Sequence, residues 1–207
     1  MVQTIQAKNV TLRSLIDDFG MCLVEDPSFF PEWKQNLPEV SDLENQQLDR
    51  IRAGFVNLLD YAPLLEGVIR MSVVDPLLFL GGFYLSPFHV QSEPSIKIQT
   101  EDEGTIVTGS LDTLVLRDRL WVLVVESKRA SYSVEAGLAQ ILAYMLASPN
   151  PAQPSYGMIT SGGSFMFVKL VKGNSPQYAV SKLFGTRDPG DLSTVFAILK
   201  QFGNLVS

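Results

Sequence analysis

The most constraining stretch of this chain is WVLVV, residues 121–125, followed at once by Glu126, Ser127, Lys128 and Arg129. A strand with one wet face alternates apolar and polar residues. An unbroken apolar run predicts a strand covered on both faces. Such a strand needs a sheet with helices packed against it. Its abrupt end in charge is the second constraint, because buried charges must be paired or must bind a cation.

Periodicity around this strand supplies the rest of the architecture. Apolar residues at helical spacing predict a short helix over 10–24. The segment 27–38, rich in proline and aromatics, reads as an irregular arm packed on the surface. Ser41, with Glu44 three residues on, is a capping-box pattern. The helix it opens carries an apolar stripe through Leu43, Leu48, Ile51, Phe55, Leu58 and Leu59. Pro63 interrupts it, and a second helical stretch follows to about Val74, where Asp75-Pro76 is expected to break it. From about Pro87 the period changes to two. This predicts strands over 88–99, 106–117 and 120–129, with turns at 101–104 and 117–119. Ser133 as cap and Glu135 in the first turn predict a helix to about Ala147. Strands follow near 156–161, 164–172 and 177–184, and a last helix over 189–203, with Asp188 as cap and Pro189 in its first turn. The expected product is a single α/β domain over 1–207, with a central mixed sheet flanked by helices. Its parts are a helical extension over 1–62, a core over 63–173 and a C-terminal strand and helix over 174–207.

Alternation along the strand puts Glu126 and Lys128 on one face. The preceding strand runs antiparallel to it. A turn of residues 118–120 sets Asp112 directly opposite Glu126, with Cβ atoms about 4.5–5.5 Å apart. Two carboxylates that close repel unless a proton or a cation lies between them. Mg²⁺ takes one or two carboxylates together with waters and phosphate oxygens, and Mn²⁺ suits the same donors. Asp112 and Glu126 are therefore candidate metal ligands, with the Ser127 carbonyl as a further oxygen. The metal would polarise a phosphodiester and activate water. Lys128 would orient the attacking water or stabilise developing charge. On the following helix Gln140 and Tyr144 stand four residues apart on one face. Gln140 is expected to bond Lys128, water or phosphate, and Tyr144 to touch backbone phosphate. The bland alternative for the whole group is a cross-strand salt-bridge cluster at a sheet end.

The segments GSLD ending at Asp112, VVESK ending at Lys128, and Gln140-x-x-x-Tyr144 resemble the PD-(D/E)XK nuclease superfamily. The last of them is closest to the RecB-like and type I restriction-subunit branches. Leu111 stands where the superfamily name has proline. The resemblance covers about 66–172. It implies a restriction-endonuclease-like αβββαβ core and Mg²⁺-dependent phosphodiester hydrolysis. It also implies a helical glutamate near the metal, for which Glu66 is the candidate.

Composition narrows the alternatives. One cysteine, Cys22, excludes an internal disulfide and a Cys-rich zinc site. One histidine, His89, excludes a HExxH site and leaves at most one imidazole for any nucleophile–base device; its plain reading is a residue near the start of a strand. A reducing, cytoplasmic setting is expected, with no signal-peptide pattern. The most apolar run, 64–85, holds Glu66, Arg70, Asp75 and Pro76, so no membrane span is expected.

The net charge of −6 argues against a purely electrostatic nucleic-acid binder. Contact with nucleic acid, DNA in the first place, would use a local rim drawn from Lys97, Arg117, Arg119, Lys128, Arg129, Lys169 and Lys172, with Arg129 nearest the site. Sequence specificity would come from a homodimer or a partner subunit. Two rival readings stand beside the nuclease. One is a catalytically silent scaffold of the same fold, with the arm 27–38 and the segment GGFYL (81–85) as its interface. The other is a metal enzyme acting on a small phosphorylated substrate.

Overall fold

The structure, a computed structural model, describes residues 3–99, 105–117, 120–173 and 175–205. The expected turn at 101–104, and Asp118 and Arg119, lie outside the described residues.

The N-terminal part opens with strand β1 (Gln3–Gln6) and helix α1 (Leu12–Phe19). The helix predicted over 10–24 is shorter because Gly20 takes a left-handed conformation (φ 63°) and ends it. The chain then enters a two-residue strand, β2 (Cys22–Leu23). The arm that follows is irregular and tied down from both sides. Phe30 is buried in the core, and Glu32 meets Lys169 at 2.6 Å and the Tyr156 hydroxyl at 3.0 Å.

Helix α2 (Asp42–Leu59) starts as read, with Ser41 and Glu44 forming a reciprocal capping box. The next helical stretch differs. It runs as α3 (Glu66–Ile69), a π-turn over Arg70–Val74 and α4 (Asp75–Leu80), without stopping at Asp75-Pro76. Pro76 has no N–H to give and its ring crowds the turn before it. The wide π-turn takes up that defect, and Pro76 becomes a first-turn residue of α4.

Two long strands were expected over 88–99 and 106–117. Each is broken, and the breaks face one another. The first divides into β3 (Phe88–Ser92) and β4 (Ser95–Gln99), the second into β5 (Thr105–Ser110) and β6 (Thr113–Arg117). β3 pairs with β6 and β4 with β5, but in different sheets. The corner holds Glu93 at φ 55° and Pro94, which cannot donate to a ladder. Two backbone bonds close it: Leu111 N–H to the Pro94 carbonyl (3.1 Å) and Glu93 N–H to the Asp112 carbonyl (3.3 Å).

The apolar strand is β7 (Leu120–Ser127), and Val122 to Val125 are fully buried. A turn of 3-10 helix (Val134–Gly137) leads into α5 (Leu138–Leu146). Strands β8 (Ser155–Thr160), β9 (Ser164–Val171), β10 (Gln177–Val180) and β11 (Phe184–Gly185) follow, then α6 (Asp191–Leu205). The last helix begins later than Asp188-Pro189 suggests, because Gly190 (φ 80°) turns the chain first. The Asp191 carboxylate accepts from Gly185 N–H at 2.8 Å, pinning the helix start to β11.

The result is α/β. A mixed eight-stranded sheet has the order β2-β10-β9-β8-β7-β6-β3, with β11 on β9, and a small sheet β1-β5-β4 stands beside it. β7 and β8 are the parallel pair at the centre. Alternate residues of β9 feed two cores. Phe165 and Phe167 pack under α2, α4 and α6, while Met166, Val168 and Leu170 pack under α1 and α5. Full burial of each such side chain contributes about 1.5–3 kcal/mol. Among the described residues no helix is long and apolar enough to cross a membrane.

Candidate active site

The site lies at the end of β7, where the sheet divides. Thr113 pairs with Val125, which brings Asp112 and Glu126 across from one another as the alternation requires. The route to that register differs from the expected three-residue turn. Arg117 pairs with Leu120 and Leu116 with Trp121, one residue out of the phase that a turn of residues 118–120 would set. A bulge then takes up Val122 between the pairs Leu116–Trp121 and Val115–Leu123, restoring the phase before the site.

Asp112 belongs to no ladder; it is the corner residue between β5 and β6. Freed from pairing, its carboxylate Oδ2 accepts from Ser127 N–H at 2.7 Å. Glu126 is 2% exposed. Its Oε1 accepts from Lys128 Nζ at 2.7 Å, and its Oε2 is buried with no hydrogen-bond partner. Lys128 Nζ also donates to Gln140 Oε1 at 2.8 Å, and Lys128 N–H to the Thr160 carbonyl at 2.7 Å. Gln140 Nε2 donates to the Tyr144 hydroxyl (2.9 Å), which donates to the Ser110 carbonyl (2.7 Å).

The electrostatics follow from burial. Desolvation pushes the Glu126 carboxyl up to about 8, Asp112 adds to the rise, and Lys128 opposes it. Desolvation also raises Asp112, against the Ser127 N–H, which favours the charged form. The charge of Glu66 raises both, so this exposed first residue of α3 lies within reach of the pair. Arg70 does not close a pair with Glu66; it bonds Ser92 Oγ at 3.0 Å and lies 3.7 Å from Glu93. Burial pushes the Tyr144 phenol up to about 12, so it remains a proton donor.

Asp112, Glu126, Ser127, Lys128 and Gln140 are thus brought together, with Glu66 at the margin and Arg129 exposed one residue beyond Lys128. Tyr144 departs from its expected contact with phosphate. It is 2% exposed and its hydroxyl is committed inside the protein. The expected basic rim loses two members. Lys169 is buried against Glu32 and the Phe29 carbonyl, and Lys172 donates to the Ser148 carbonyl, because both sit on β9 and its exit, beyond β8. Arg119 lies outside the described residues, and His89 is an exposed residue of β3.

Two glycines shape the site and were not singled out in the sequence. A Cβ at Gly137 would lie 3.0 Å from Lys128 Cε and from Ile159 Cγ2, and 3.7 Å from Glu126 Cγ. A Cβ at Gly109 would lie 2.8 Å from Ala7 Cβ and 3.1 Å from the Tyr144 ring. Only a bare backbone lets the turn before α5 and strand β5 approach this closely. A glycine inside a strand pattern, as at Gly109, is the signal that could have found one of them.

Among the described residues no group of three or more His, Cys, Asp or Glu side chains is spaced to hold a metal. The donors present are two carboxylates, one with an unpartnered buried oxygen. That set fits a hard divalent cation completing its shell with water and substrate oxygens, rather than a closed zinc site. No protein-family model matches the chain, and no curated protein matches it in sequence.

Proposed function

We propose that this chain is a Mg²⁺- or Mn²⁺-dependent nuclease of the PD-(D/E)XK kind, acting on nucleic acid and on DNA in the first place. The observation that carries the reading is a second carboxylate, Asp112, facing the buried Glu126 and its orphaned Oε2 beside Lys128 at the end of a central strand. A purely structural ion pair has no use for a second, half-buried carboxylate, since its charge raises the cost of ionising the first. The order helix, β3, β6, β7, α5, β8 supports a restriction-endonuclease-like αβββαβ core.

Asp112 and Glu126 would hold the cation, with the Ser127 carbonyl and Glu66 as further oxygens. The cation supplies Lewis-acid polarisation of a phosphodiester and a more acidic water. The chain's own residues do the rest. Ser127 N–H fixes the Asp112 carboxylate. Lys128, held between Glu126 and Gln140, places a positive charge where a phosphoryl group gathers negative charge. Arg129 stands exposed at the strand exit, available to a phosphate.

The test is calorimetric titration of Mg²⁺ and Mn²⁺ into wild type and Asp112→Ala, with plasmid and single-stranded DNA cleavage on the same samples. Metal binding that depends on Asp112, together with cleavage, is expected. Absence of metal binding in wild type would sink the reading and leave the catalytically silent scaffold.

A further inference from the structure

Tyr144 is buried, yet it makes two hydrogen bonds whose directions are forced. The Ser110 carbonyl can only accept, so the single hydroxyl hydrogen of Tyr144 is committed to it at 2.7 Å. The Tyr144 oxygen is then an acceptor, and Gln140 must present its NH₂ end, at 2.9 Å. The other end of that amide, Oε1, necessarily faces Lys128, whose ammonium can only donate, at 2.8 Å. Both ends of the Gln140 carboxamide are thereby determined.

The contacts close a ring. Ser110 leads through Leu111 to Asp112; Asp112 Oδ2 accepts from Ser127 N–H; Ser127 leads to Lys128; Lys128 reaches Gln140, and Gln140 reaches Tyr144. The same three-residue segment of the sheet corner, Ser110 to Asp112, thus carries the Asp112 carboxylate at one end and the carbonyl that anchors Tyr144 at the other. Gly109 makes the anchor possible, because a Cβ there would lie 3.3 Å from the Tyr144 hydroxyl and 3.1 Å from its ring.

We infer that Tyr144 is a positioning residue: its hydroxyl, anchored on the Ser110 carbonyl, holds the Gln140 amide so that Lys128 is kept in register with the Asp112 corner. Without the hydroxyl, Gln140 Nε2 faces an apolar ring, and a buried donor without an acceptor turns away. Lys128 then keeps only Glu126 as a side-chain partner. The inference deepens the nuclease reading and rests on it for the rate measurement alone.

Tyr144→Phe keeps the ring and removes only the hydroxyl. In metal-free, ¹⁵N-labelled protein, the Gln140 side-chain amide signals (assigned by their loss in Gln140→Met) are expected to exchange slowly and to show nuclear Overhauser contacts to the Tyr144 ring. Both features should disappear in Tyr144→Phe. With Mg²⁺ and a labelled oligodeoxynucleotide, kcat should fall about tenfold with KM unchanged. The Tyr144→Phe/Gln140→Met double variant should be no slower than Gln140→Met. Gly109→Ala, which presses on the same ring, should disturb the same amide signals. Unaltered Gln140 signals in Tyr144→Phe, or rate losses that add in the double variant, overturn the inference. A wild type that cleaves no nucleic acid refutes the nuclease reading instead, and the Gln140 signals then decide the positioning role by themselves.

Discussion

The Asp112 carboxylate accepts a hydrogen bond from the Ser127 amide across the sheet corner, at 2.7 Å, while Ser127 stands between Glu126 and Lys128. Asp112 is therefore both a candidate ligand and a brace for the strand that carries the other two groups. These roles separate chemically. Asparagine keeps an acceptor for Ser127 N–H and loses the charge. Asp112→Asn should retain wild-type stability within about 1 kcal/mol in urea unfolding and lose Mn²⁺ binding by calorimetry. Asp112→Ala should lose both. Equal loss of stability in the two variants would show that the charge itself holds the corner.

Glu126 makes the fold sensitive to pH. Its ordinary value is 4.5, and burial beside Asp112 pushes it up to about 8 in the folded chain. The neutral form favours folding, so this contribution is fully present below the unfolded value and is lost as pH rises through the folded one. Stability in urea should decline between about pH 5 and pH 9. Glu126→Gln should flatten that decline. A wild-type curve that rises over the same interval would show that the carboxyl is not held neutral.

Lys128→Met removes a cation that touches both Glu126 and Gln140. Metal binding should survive, because the lysine donates no ligand. Cleavage should fall by at least about a hundredfold if the ammonium stabilises developing charge. Full activity in that variant, measured on the same DNA substrates, would remove Lys128 from the chemistry.

Gly137→Ala tests how closely the turn before α5 must approach. Its Cβ would sit 3.0 Å from Lys128 Cε, which is flexible, and from Ile159 Cγ2, which is packed. The cost to stability should be about 1–3 kcal/mol, with a larger proportional loss of cleavage as Lys128 is displaced. Thermal unfolding and a cleavage assay on one sample separate the two effects.

Lys169 and Glu32 form a second buried pair, distant in function from the first. Lys169→Met leaves Glu32 and the Tyr156 hydroxyl in the interior without their cation. Breaking one side of such a pair costs about 3–5 kcal/mol. The loss should appear in urea unfolding, while Mn²⁺ binding by the folded protein stays unchanged.

The residues of the candidate site could be read from the chain because strand alternation is a strong local rule. Once WVLVV is a buried strand, Glu126 and Lys128 share a face; that Asp112 faces Glu126 depends in addition on the bulge at Val122, which no local pattern announces. The sheet corner was less legible. Residues 88–99 and 106–117 alternate with period two throughout, and alternation does not say which sheet a strand joins. Pro94 and Gly109 were the local marks of that corner. Asp75-Pro76 looked like a stop because proline breaks an α-turn, whereas the chain widened to a π-turn and continued. The inward commitment of Tyr144 is not legible, because helical spacing gives a face but not the element that covers it; β5 and Ser110 cover this one.

The bulge at Val122 makes the pairing of the two acids tolerant of the hairpin's length. Each residue gained or lost in the hairpin reverses the side on which every later strand residue stands. A bulge absorbs one such change, and here it does so upstream of Val125, leaving Asp112 and Glu126 face to face. What the juxtaposition requires is therefore the parity of the pairing and not the count of residues between the two acids. A one-residue change in the hairpin, matched by the gain or loss of one bulge, leaves the two side chains on a common face.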